Sequence, residues 1–159
     1  MDAAMTSSDS TVDLIPFRQR LMAACAKATR AEIEASLAEF SSLPAAVNLR
    51  KPETGLVMLR GRIGGDGAPF NVGEATVSRA TVALDTGEIG HGYQFGRDVE
   101  KARLAAIVDA LAQKPDAVGI LVDALLQPVE RRVAGEQDRK ARQTAATRVN
   151  FFTMVRGED

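Results

Sequence analysis

The chain has 159 residues, enough for one domain with its own core, and its 45% hydrophobic and 26% charged residues are typical of a folded protein. A net charge of −1 argues against a general binder of nucleic acid or of anionic membranes. With one histidine (His91) and one cysteine (Cys25), the chain lacks the ligands for a His/Cys zinc site or for its own iron–sulfur cluster. We assign no metal ligand, although 21 Asp and Glu leave carboxylate-rich sites open.

The N-terminal segment Met1–Ser10 is small, polar and acidic, without the basic and apolar regions of a signal peptide. We predict a disordered tail over residues 1–13 and a single domain over residues 14–159. The lone cysteine cannot form an internal disulfide, and the longest apolar runs are too short to span a membrane. These features predict a cytoplasmic protein.

A hairpin of two helices is predicted between Leu14 and the loop Ser41–Pro44. The second helix begins with a capping-box pattern, in which Thr29 is followed three residues later by Glu32. The apolar residues that recur at helical spacing are Phe17, Leu21, Met22, Cys25, Ile33, Leu37 and Phe40.

The middle of the chain predicts an antiparallel sheet of about four strands. The first strand is expected to stop at Pro52, because proline has no N–H to donate. Glycine-rich turns at 64–67 and 85–87 then separate β-branched runs, and connections this short require antiparallel neighbours. The predicted strands cover residues 46–51, 56–63, 70–84 and 88–95.

The C-terminal third is predicted to be helical, which completes an α+β fold. Asp98 is expected to cap one helix, which ends before Pro115, and Asp116 to open another, which Pro128 closes. Residues 129–148 form a charged helix with a thin apolar stripe that needs something else to pack on.

The last segment, residues 149–155, is apolar on both alternating faces. It is expected to be buried in this domain or in a partner, since large exposed apolar patches mark interaction sites. The interface candidates are Phe151, Phe152, Met154 and Arg156.

Ten of the 13 glycines fall between Thr54 and Asp98. The run 61–67 is either a backbone nest for a phosphate or a hairpin loop, and it matches neither the Walker A nor the GxGxxG pattern. For the segments 90–92 and 96–98 the same two alternatives remain, an anion-binding nest or a purely structural segment. At 96–98 the helix N-terminus could bind an anion, or Asp98 itself could satisfy those donors.

Four arginines, Arg60, Arg62, Arg79 and Arg97, are candidates for binding an anionic ligand. Arg60 and Arg62 share one face of a strand by their spacing, and arginine holds phosphate or phosphonate groups with paired hydrogen bonds. The alternative is a solvated face of ion pairs. Their acidic partners would then be Glu74, Asp66 and Glu88.

His91 suits acid–base chemistry near neutral pH, but it has no partner identifiable by spacing, so a structural or interface role is the alternative. Glu53 is either a ligand or base, or a residue at a strand-edge turn. No Ser–His–Asp set is present in the pattern, and we assign no catalytic residue.

Four ordered blocks resemble the PhnG family, a subunit of the bacterial carbon–phosphorus lyase system. The likeness spans most of residues 14–157, leaves out the tail 1–13, and extends to residues 129–148 only in length and character. The blocks are Glu53–Gly65, Pro69–Ala80, Gly90–Asp98 and Val149–Gly157.

The resemblance implies a subunit that supports transfer of a phosphonate to the ribose C1 of ATP, with loss of adenine, to give a ribose 1-phosphonate 5-triphosphate. It implies PhnI as the direct partner and carrier of the nucleosidase chemistry, with PhnH, PhnJ and PhnL in the same system. ATP is then a substrate of the complex, and the iron–sulfur cluster and S-adenosylmethionine belong to PhnJ. No cofactor is expected on this chain alone, nor activity without the partners.

Two roles follow from this resemblance. The chain is either a structural subunit that shapes or activates the PhnI site, or it contributes arginines to a shared triphosphate or phosphonate site. An isolated domain that binds a phosphorylated metabolite is a third alternative.

Overall fold

The computed structural model describes residues 14–64 and 66–147, and within them it confirms the predicted α+β fold. A helical hairpin precedes an antiparallel sheet, and further helices follow it. The elements are α1 (Leu14–Lys27), α2 (Arg30–Ala38), β1 (Ala46–Gly61), β2 (Phe70–Leu84), β3 (Ile89–Phe95), α3 (Val99–Leu111), α4 (Pro115–Leu121), a π-helical turn (Val122–Leu126) and α5 (Gln127–Ala146).

The sheet has three strands in the described residues, in the order β1-β2-β3, rather than about four. The predicted break at Pro52 is wrong, because β1 runs through it as one strand of 16 residues. Arg50 pairs with Thr81 and Glu53 with Arg79, so three steps along β1 face two along β2. This bulge accommodates the proline, and β1 is an edge strand of the described sheet, where a missing N–H is tolerated.

Helix α3 packs directly against the backbone of β3. A Cβ on Gly92 would lie 1.8 Å from the carbonyl oxygen of Ala102, and one on Gly90 would lie 1.9 Å from that of Ala106. Both glycines and both alanines are buried. The segment 90–92, for which an anion nest was one alternative, is therefore a strand whose glycines allow close packing of the helix.

The predicted helix starts are confirmed at two caps. Thr29 accepts a hydrogen bond from the backbone N–H of Glu32 while the Glu32 carboxylate accepts one from that of Thr29, which completes the capping box. Asp98 caps α3 by accepting from the backbone N–H of Lys101 at 2.9 Å.

The predicted helix end at Pro128 is wrong. The chain continues from α4 through the π-helical turn into α5, with Pro128 in the first turn of α5. A proline ring clashes with the carbonyl one α-helical turn earlier, and the wider π turn lies at that position. Leu121, Leu125 and Val129 are thereby all buried against the core.

The far half of α5 leaves the core, because every residue from 134 to 147 is exposed. This agrees with the thin apolar stripe predicted for it. Among residues 14–64 and 66–147, no helix has both the length and the apolar character needed to cross a membrane.

Candidate interaction face of the sheet

The sheet has one face against α3 and an opposite face that we call the outer face. Along β3, buried Gly90, Gly92 and Gln94 alternate with exposed residues, which therefore point away from α3. Strand pairing extends this face across the sheet. The outer face contains Val47, Glu53, Val57, Leu59, Arg79, Thr81, Ile89, His91, Tyr93 and Phe95.

Two predicted site residues, Arg79 and His91, lie together on the outer face. Arg79 pairs with Tyr93 and His91 with Thr81, so the two are diagonal neighbours, about 7 Å apart at Cβ by the usual sheet spacing. The Nδ1 atom of His91 is 3.3 Å from the hydroxyl of Thr81. Both side chains are exposed, so an incoming ligand or partner can reach them.

Arg79 is already paired with a carboxylate. Its Nε donates to Glu53 at 2.7 Å, and Arg50 Nε lies 3.0 Å from the same Glu53 oxygen. The Arg79 hydrogen bond is the main reason why the pKa of Glu53 lies below its usual value. These side chains are about half exposed, so the ion pairs add little to stability. The acidic partner of Arg79 is therefore Glu53, and not Glu74, Asp66 or Glu88 as expected from the sequence.

The structure separates Arg60 and Arg62 from that pair. Arg60 pairs with Asn71, which is eight residues from Arg79 along β2, or roughly 25 Å at the rise of a strand. Arg62 follows the end of β1, and both side chains are exposed. The four arginines therefore do not form a single cluster.

Arg97 lies in the turn between β3 and α3, and it is exposed. Gly96 before it has φ of 94°, a conformation that favours glycine, and its carbonyl accepts a hydrogen bond from Ser78 Oγ at 2.8 Å. Because Asp98 caps α3, one donor at this helix N-terminus is already satisfied by the protein itself.

The distal end of the sheet is a two-stranded ribbon that we call the arm, formed by residues 56–61 of β1 and 70–76 of β2. It exists because β3 pairs only with Val77–Ala83 of β2 and so stops short. Large apolar side chains are exposed on it, among them Leu56 at 64%, Met58 at 54% and Val72 at 60%. These side chains carry no charged or catalytic group, so no motif in the sequence marks them, although a charge-free run from Leu56 to Leu59 typically indicates a strand covered on both faces.

A second feature missed from sequence is the buried Asp109 on α3. Its carboxylate accepts two hydrogen bonds from Arg18 of α1, at 3.0 and 3.1 Å, and one from the backbone N–H of His91 at 2.9 Å. One side chain thus joins α1, α3 and β3. No motif marks it, because the contact with Arg18 spans 91 residues of sequence.

A groove of about 230 Å³ lies between α1 and α5, and Arg20, Lys27 and Glu130 are among the residues that line it. None of the predicted arginine or histidine candidates lines it. Within the part of the chain that the structure describes, no group of three or more His, Cys, Asp or Glu is placed to hold a metal ion.

Comparison with known proteins identifies the family. The model of the family described as phosphonate metabolism protein PhnG matches residues 17–157. The chain belongs to the PhnG family. A relative from Rhizobium meliloti (strain 1021), the alpha-D-ribose 1-methylphosphonate 5-triphosphate synthase subunit PhnG, is 54% identical over 159 residues, which cover 100% of this chain and 99% of the relative.

The interface candidates Phe151, Phe152, Met154 and Arg156 lie outside the described residues, so their role stays a prediction. The anion-binding role of the four arginines and His91 also stays a prediction. For this PhnG-family chain, the described structure offers an exposed outer face and an exposed apolar arm.

Proposed function

We propose that this chain is the PhnG subunit of a ribose 1-phosphonate 5-triphosphate synthase that acts in organic phosphonate catabolism. The observation that carries the proposal is the 54% identity to a named subunit of such a synthase over essentially both whole chains. In this role the chain supports transfer of a phosphonate to the ribose C1 of ATP, with loss of adenine.

Its own contribution is mainly structural and activating. The predicted polar candidates on the outer face are exposed, and Arg79 is already held by Glu53. A catalytic acid, base or nucleophile typically sits in a cleft, which an exposed strand face does not provide. We propose PhnI as the direct partner and carrier of the chemistry, alongside PhnH, PhnJ and PhnL, in the cytoplasm.

Reconstitution tests the proposal. Purified partner subunits are incubated with ATP and methylphosphonate, with and without this chain, and adenine release is followed by chromatography. We expect release only when the chain is present. Equal release without it would refute a required role, and a chain that neither assembles with the partners nor restores release would refute membership of the synthase.

The second candidate role is a direct contribution of side chains to a shared triphosphate or phosphonate site. It is favoured by the proximity of Arg79 and His91 on one accessible face. Arg79→Ala, Arg60→Ala and Arg97→Ala are compared with Arg30→Ala, an exposed arginine paired with Glu34 on α2. Loss of adenine release in an assembled complex would favour the direct role, whereas unchanged rates would exclude it for the substituted arginine.

A third candidate, an isolated phosphometabolite-binding domain, requires that the lone chain bind ligand. Isothermal titration of the chain with ATP and with methylphosphonate is expected to give no specific heat. A saturable heat for either compound would favour this third role.

A further inference from the structure

The arm combines two properties that ordinary sheet edges avoid. Thr54 to Leu59 pair with Ser78 to Gly73 in unbroken register, and none of those six β1 residues is charged. The first half of β1, by contrast, carries Lys51, Pro52 and two irregularities, devices that keep an exposed edge from pairing with another chain. Between Thr54 and Leu59 the edge has none of these features, and Arg60 with a third irregularity follows only at its end. This unprotected stretch is expected if the edge is covered in the working protein.

The exposed apolar residues of the arm lie on both of its faces. By alternation, Leu56 and Met58 point to the α3 side of the ribbon, whereas Leu59 points to the outer side. Their exposed fractions are 64%, 54% and 41%. A partner that lies flat against one face would leave the other in water.

The available area sets what kind of partner fits. A two-stranded ribbon six residues long presents roughly 20 Å by 10 Å, on the order of 200 Å², on each face. A stable protein interface buries about 800 Å² per partner. The area buried by covering one face is well below this value. The area buried by enclosing both faces and both edges of such a ribbon is about 800 Å².

We infer that the arm inserts into an apolar cleft of a different subunit, which encloses it from both faces. This inference rests on the proposed function, which supplies the partner subunits. A second copy of this chain is disfavoured. Two arms packed face to face bury too little, and the surface grooves of the described residues carry charged side chains, among them Arg20, Glu39 and Asp123, that do not suit an apolar ribbon.

The test uses the full chain, affinity-tagged and coexpressed with the other synthase subunits. Leu56→Glu places a charge on one face of the arm and Leu59→Glu on the other, while Leu43→Glu is the control, with 42% exposure outside the arm against 41% for Leu59. We expect each arm variant to retain about tenfold less partner, and the control to match wild type.

Unchanged thermal unfolding of each purified variant verifies that the fold is intact. In the wild-type background, a photo-crosslinking residue at position 56 and one at position 59 are expected to label the same partner subunit. Crosslinking introduces no destabilising charge, so it tests whether the partner encloses both faces of the arm even if a glutamate variant does not fold.

Loss of partner with only one of the two arm variants, or crosslinking from only one face, would overturn enclosure in favour of a flat contact. Retention by both variants would overturn any role of the arm while leaving membership of the synthase intact, because wild type still captures the partners. A wild-type chain that captures none overturns both. A lone chain that sediments as a dimer, and becomes a monomer with Leu56→Glu, would assign the arm to a second copy.

Discussion

The carboxylate of Asp109 accepts a hydrogen bond from the backbone N–H of His91 at 2.9 Å, while the guanidinium of Arg18 lies 3.0 Å from its other oxygen. Asp109 is almost fully buried, and the Arg18 side chain is about one third exposed. The exposed imidazole of His91 therefore stands on a strand whose backbone is fixed from the opposite side of the sheet.

Asp109→Ala is expected to lower the free energy of unfolding by about 3 kcal/mol, because it leaves a strand N–H and a guanidinium without their acceptor. Urea denaturation followed by circular dichroism measures the change. Asp138→Ala on the exposed part of α5 is the control, and it should stay within about 0.5 kcal/mol of wild type. Equal effects of the two substitutions would contradict the structural role of Asp109.

Gly92→Ala is expected to cost about 3 kcal/mol, because the added Cβ would lie 1.8 Å from a backbone oxygen of α3, which must move away. Gly73→Ala on β2 is the matched control, since a Cβ there meets nothing within 4 Å. Thermal unfolding of the two variants separates close helix packing from a general cost of replacing strand glycines. Similar melting temperatures would argue against the close packing.

Glu32 predicts a dependence of stability on pH. Hydrogen bonding to Arg132, followed by the bond from the Thr29 backbone, lowers the pKa of Glu32 below its ordinary 4.5. A depressed pKa stabilises the folded state at pH values above the unfolded pKa, and that contribution disappears as the pH falls through the folded value. The stability difference between wild type and Glu32→Gln should therefore be about 1 kcal/mol at pH 7 and shrink below pH 4.5.

Urea unfolding of both proteins between pH 7 and pH 3 measures that difference. Glu34→Gln is the control, because Glu34 lies two residues away on α2 in an exposed pair with Arg30. A difference for Glu32→Gln that stays constant over this range would rule out the charged cap as its source.

Cys25 is expected to be inert in the folded chain. Burial raises the pKa of its thiol to about 12, and the thiolate is the reactive form. Alkylation by iodoacetamide at pH 8 should be about a hundredfold slower, or more, than in the same chain unfolded in guanidinium. Rapid labelling of the native protein, followed by mass spectrometry, would show that α1 opens readily.

Local signals predicted the helix starts well. Thr29, Glu32 and Asp98 act through contacts within three residues, so their spacing alone carries the information. The behaviour of Pro52 and Pro128 was not predictable in this way. Each proline is accommodated by an irregularity beside it, a bulge in one case and a π turn in the other, which depends on how the neighbouring segments pack.

The arrangement of the candidate site depends on strand register, which the sequence did not specify. Arg79 meets Glu53 only because two irregularities between Asn48 and Glu53 together shift β1 by two residues against β2. The same register keeps Arg60 far from His91. The arm was not predictable from sequence for a related reason. It exists because β3 has only 7 residues and leaves part of β2, which has 15, without a third strand beside it.

The unprotected edge of β1 has a consequence for the supply of the protein in a cell. Chains made in excess of their partners leave the charge-free stretch from Thr54 to Leu59 exposed on an edge strand, and such stretches pair with one another and aggregate. Production in step with the partner subunits avoids this hazard. Overexpression of the lone chain should accordingly raise its insoluble fraction, and coexpression with the partners should lower it.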